Sequence, residues 1–95
     1  MTAEEKAKNL FDFERGLAAG QPCAIRWTNN GCCYRGEGVV SKVNRKSVLV
    51  RLSADVPCYG YPDSPYKAGR EIIAPRMEAK TWSRNNCVEP AGGYP

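Results

Sequence analysis

The 95-residue chain contains no histidine, which removes the commonest general base, the Ser-His and Cys-His nucleophile pairs and every imidazole metal ligand. Its five cysteines, at 23, 32, 33, 58 and 87, are odd in number and include no CxxC pair, so neither a closed disulfide framework nor a zinc ribbon fits. Small, partly buried thiols are the expectation. Cys32 and Cys33 are adjacent in a strand-like stretch and should point to opposite faces, so they should not share a ligand. No apolar run approaches the roughly 18 residues of a membrane span. The start, Met1-Thr2-Ala3-Glu4-Glu5-Lys6, lacks the apolar stretch of a signal peptide. The cytosol, without membrane association, is the default compartment. Phosphate cradles are missing as well, since Gly36-Glu37-Gly38 runs into a strand and not into a helix N-terminus. Ser53 and Ser64 have no histidine to activate them, and Asp55 and Asp63 have no base partner. The expectation is therefore a noncatalytic protein with no cofactor and no metal.

Hydrophobic residues make up 42% and charged residues 25%, the balance of an ordinary folded domain, and the length suits one core. Thr2 and Glu5 form a capping-box pair, after which Ala3, Ala7, Leu10, Phe11, Leu17 and Ala18 recur at helical spacing. This predicts a helix over 1–18, stopped by Gly20 and Pro22. From Cys23 the period changes to two, with Cys23, Ile25 and Trp27 on one face and Ala24 and Arg26 on the other. Asn30-Gly31 predicts a two-residue primed turn that sets Trp27 opposite Tyr34, Arg26 opposite Arg35 and Ile25 opposite Gly36. Beyond Tyr34, Val39 and Val43 call for the odd face, so the strand is expected to change phase at Gly36 and Gly38. Asn44 to Ser47 makes the next turn, and strands follow at Ser47–Leu52, Glu71–Ala74 and Cys87–Glu89. Trp82 to Asn86 forms a tight turn and 91–95 a flexible tail. Residues 53–69, with Pro57, Pro62 and Pro65 set among Tyr59, Tyr61 and Tyr66, read as a long loop with no strand period.

One helix, then five short strands with a kinked second strand, predicts a mainly β domain over 20–90. Gly20-Gln21-Pro22-Cys23-Ala24-Ile25-Arg26-Trp27, followed by Tyr34-Arg35-Gly36-Glu37-Gly38-Val39-Val40-Ser41-Lys42-Val43, resembles the opening of KOW and Tudor modules. Asn86-Cys87-Val88-Glu89 is similar to the turn and final strand that close SH3 domains. The resemblance implies a small SH3-like five-stranded barrel with an N-terminal α-helix. The acidic, tyrosine-bearing motif of peptide-binding SH3 domains is absent, so a proline-rich ligand is not implied.

The formal charge of +4 is unevenly spread. Residues 19–52 hold six Lys and Arg against one acid, whereas the flanking segments are close to neutral. Arg26, Arg35, Lys42, Arg45, Lys46 and Arg51 are thus candidate phosphate contacts for nucleic acid, with Trp27 or Tyr34 stacking on a base if exposed. The competing account has Glu37, diagonal to Arg26, balancing the facing arginines while the other charges solvate strand edges. A protein partner is the alternative, held by Tyr59, Tyr61 and Tyr66, against the plainer account that Trp27 fills the core and the loop tyrosines cover its mouth. Homodimerisation is the route by which so small a module could add core.

Overall fold

A five-stranded, wholly antiparallel sheet curls into a half-barrel in the computed structural model, which describes residues 2–58 and 64–92. Helix α1 spans Ala3–Arg15, and strands follow as β1 (Pro22–Asn29), β2 (Cys32–Val43), β3 (Ser47–Leu52), β4 (Glu71–Pro75) and β5 (Cys87–Pro90). The order across the sheet is β4-β3-β2-β1-β5. Among the described residues no helix is long and apolar enough to cross a membrane.

Local chemistry accounts for the ends of α1. Thr2 Oγ1 accepts from the Glu5 amide at 3.2 Å and its hydroxyl donates to Glu5 Oε1, while Glu4 and Glu5 face the positive end of the helix dipole. The helix ends at Arg15, three residues short of the sequence expectation. Gly16 closes the last turn by donating to the carbonyls of Asp12 and Phe13. Leu17 still packs against the core, but from the turn in which Gln21 accepts from the Ala18 amide. Its helical spacing therefore reflected burial and not helix.

The first hairpin has the predicted register: Ile25 opposes Gly36, Arg26 opposes Arg35 and Trp27 opposes Tyr34. Asn30 and Gly31 both have positive φ, at 51° and 78°, the backbone of a type I′ turn whose twist matches that of the strands. The phase change in β2 falls elsewhere than expected. Tyr34, Gly36, Gly38 and Val40 keep even positions inward, Val39 lies outside and 38% exposed, and the bulge comes at Ser41, between Val40 and Lys42. Val43 then turns inward opposite Val48.

The glycines instead serve close approach. A Cβ at Gly36 would lie 2.9 Å from both Leu52 Cδ2 and Val56 Cγ2, and one at Gly38 would strike the Arg51 carbonyl oxygen and Val50. The sheet can fold over itself only because these inward positions carry no side chain.

The concave side holds a core of Ile25, Trp27, Tyr34, Val40, Val48, Val50, Leu52, Ile72 and Val88. The segment after β3 contributes as well. Val56 and Tyr66 are buried, the Val56 amide donates to the Tyr66 carbonyl at 2.8 Å, and buried Ser64 links the two with its hydroxyl. A stretch without period can still enter a core, because its polar backbone is satisfied by pairing with itself.

Candidate functional site

The outer face of the sheet carries the charges, and β2 divides them into two groups. Its first half pairs with β1 and holds Arg35 beside Arg26; its second half pairs with β3 and leads through Lys42 to the turn bearing Arg45 and Lys46. Seven residues separate Arg35 from Lys42. At strand rise this is on the order of 20 Å.

At the first group the like charges are neutralised from an unexpected direction. Glu89 on β5, its side chain 5% exposed, accepts on one oxygen from Arg26 Nε at 3.0 Å and from Arg35 Nε at 2.8 Å. Glu37 takes Arg35 Nη1 at 3.0 Å and the Gly92 amide at 3.3 Å. Burial raises the Glu89 pKa, but the hydrogen bonds from Arg35 and Arg26 outweigh it and hold the carboxyl below its ordinary value. The same bonds keep Arg35 firmly protonated. Glu37 therefore balances Arg35, not Arg26, and the larger share falls to Glu89.

The second group is open. Lys42, Lys46 and Arg51 are exposed and join no ion pair among the described residues, while Arg45 meets Glu78 at 3.6 Å with both side chains in solvent. Lys46, Ser47, Ile73, Ala74, Pro75, Thr81 and Asn86 line a groove of about 370 Å³ beside this group. Along the same outer face Leu49 opposes Ile73, which is 61% exposed on the edge strand, with Val39 one strand further in. The alternation of Val48, Val50 and Leu52 already signalled that Leu49 would face outward.

The aromatic candidates are interior. Trp27, Tyr34 and Tyr66 are 6%, 8% and 4% exposed and form one cluster, with ring centroids 5.0 to 5.7 Å apart. Neither Trp27 nor Tyr34 presents a face to a base. Tyr66 does not face a partner either; its hydroxyl accepts from Asn29 Nδ2 at 2.8 Å beneath the hairpin tip. Tyr59 and Tyr61 lie outside the described residues.

Three of the five thiols, Cys23, Cys32 and Cys58, pack with the core that holds this cluster. Cys23 and Cys87 are buried, Cys32 and Cys58 half-buried and Cys33 exposed, and all five are free. Burial, with a smaller contribution from Glu37, pushes the Cys23 thiol up to about 11, and burial likewise raises Cys87. No group of three or more Cys, Asp or Glu side chains suited to a metal ion occurs among the described residues.

These features define a small antiparallel β half-barrel with a polar, partly basic outer face. No family model, curated protein or solved structure matches the chain.

Proposed function

We propose that the chain is an SH3-like barrel acting as a noncatalytic binding module, and that its partner is nucleic acid held by the phosphate backbone. The kinked twelve-residue β2 and the short final strand against β1 support the SH3-like reading. The observation that carries the binding reading is the exposed state, outside any ion pair among the described residues, of Lys42 and Lys46 beside Arg45 at one end of β2, and of Arg51 further along β3 opposite Val39. Arg26 and Arg35 drop out of the contact set, since Glu89 and Glu37 already satisfy them. With Trp27 and Tyr34 buried, neither can stack on a base, and the proposed binding rests on phosphate contacts.

Four phosphate contacts give a slope of log affinity against log salt of about −3.6 on duplex DNA and about −2.8 on single strands. Fluorescence anisotropy with duplex and single-stranded DNA and RNA across a salt series measures it. Reversing Lys42, Lys46 and Arg51 to Glu should abolish binding, whereas Arg26→Gln, at a residue outside the contact set, should leave the slope unchanged. Binding without a salt slope, or unaffected by the three reversals, excludes the proposal.

A protein partner remains the second reading, now through Leu49, Val39 and Ile73 and not through Tyr66. The exposed Ile73 on an edge strand favours it, because an uncovered β-branched residue beside unpaired strand backbone is a ready docking surface. Ile73→Ser separates the two readings, since it removes the apolar contact without adding charge beside Lys46 and should leave nucleic-acid affinity essentially unchanged.

A further inference from the structure

Two of the five thiols converge on one phenol. Cys58 Sγ lies 3.2 Å from Tyr34 Oη. Cys32 precedes Tyr34 by two residues on β2, so it shares the inward face, and it packs half-buried against the same core cluster as Cys58. Cys32, after Cys58 and burial, also raises the Tyr34 pKa. Sequence places these thiols 26 positions apart; the segment after β3 brings Cys58 back to the tip of the first hairpin.

We propose that Cys32 and Cys58 form a reversible disulfide on exposure to a small-molecule disulfide of the glutathione class, tying the segment after β3 to the tip of the β1–β2 hairpin. The exchange balances. The Cys58 thiolate attacks the reagent's S–S bond, forming a mixed disulfide and releasing one reagent thiol, which takes up the proton. Cys32 thiolate then attacks the Cys58 sulfur, the mixed disulfide breaks, and the second reagent thiol leaves. Two protein thiols are oxidised and one reagent disulfide is reduced to two thiols.

The environment selects this pair. Cys23 and Cys87 are buried, so the reagent cannot reach them, and their raised pKa values keep them as unreactive thiols. Cys33 is exposed and, by strand alternation, directed to the face of β2 opposite Cys32, at the rim of a pocket it lines with Tyr34, Arg35, Val56 and Pro57. Tyr34 retains its proton, since the bond to Cys58 and burial both raise its pKa, so its hydroxyl is available to donate to a developing Cys58 thiolate.

The test is incubation of the folded protein with oxidised glutathione at mildly alkaline pH, followed by alkylation, non-reducing tryptic digestion and fragmentation mass spectrometry. The expected product joins peptide 27–35 to peptide 52–67, is lighter by two hydrogens and is reversed by dithiothreitol. Cys33→Ser should keep the cross-link, and Cys32→Ser or Cys58→Ser should abolish it. Cys33→Ser stays decisive even if either of the others fails to fold, because loss of the cross-link there assigns the bond to Cys33. Tyr34→Phe should slow formation. A cross-link that persists in Cys32→Ser, or recovery of glutathione mixed disulfides alone, overturns the proposal.

Discussion

At the scale of single residues, Glu89 is the most consequential side chain. One nearly buried carboxylate bridges two arginines that the hairpin register forces into opposition, and Glu37, bonded to Arg35, supplies the second negative charge. Leaving Arg26 and Arg35 facing each other without Glu89 would cost cross-strand repulsion. Because the folded-state pKa of Glu89 is lowered, its stabilisation is fully present above the ordinary glutamate value of about 4.3 and is lost as pH falls below it. Thermal melts of the wild type should therefore drop in midpoint as pH falls through that region, and Glu89→Gln should start lower at neutral pH and show a flatter acid limb. An equally steep acid limb in the variant would assign the acid sensitivity to other carboxylates.

At the scale of elements, β2 organises the molecule. It serves two partners, β1 and β3, and can do so only if it bends, which the missing side chains at Gly36 and Gly38 and the bulge at Ser41 permit. The two glycines differ in what an added methyl would meet. At Gly36 it meets the ends of Leu52 and Val56, which can shift by rotamer adjustment; at Gly38 it meets the Arg51 backbone carbonyl, which cannot move without disturbing the β2–β3 ladder. Urea denaturation should give roughly 1–3 kcal/mol for Gly36→Ala, the usual cost of overpacking, and a larger loss for Gly38→Ala. Similar losses at both positions would mean that β3 yields as readily as its side chains do.

At the scale of the whole molecule, one ion pair, together with the packing of Phe13 against the core, joins α1 to the barrel. Arg76, just after β4, donates through Nε to Glu14 Oε1 at 2.7 Å and through Nη2 to the Glu14 carbonyl at 2.8 Å, while Nη1 reaches the Asn44 carbonyl. Glu14 is 5% exposed, and the Met77 amide also donates to it. This one guanidinium thus joins helix, β2–β3 turn and the β4–β5 connection. Arg76→Ala leaves the Glu14 carboxylate buried and unpaired, with an expected loss of about 3 kcal/mol by equilibrium denaturation. Hydrogen exchange should locate that loss in α1 amides before the strand amides. Uniform exchange acceleration across both would instead show that helix and sheet unfold as one unit.

Period, turn chemistry and local charge determined much of this protein from sequence alone: the five strands, the primed turn at Asn30-Gly31, the register of the first hairpin and the capping of α1 by Thr2. All of these depend on neighbours a few residues apart. Only the tertiary structure decided which charges remain available and which aromatics are hidden. Glu89 reaches Arg26 across 63 positions and Arg76 reaches Glu14 across 62, separations at which no sequence period carries information. Tyr66 entered the core from a segment whose burial follows from backbone pairing with Val56 and not from alternation. The basic excess of residues 19–52 was legible as a sum, but its division into a neutralised pair and an open group required the fifth strand to lie against the first.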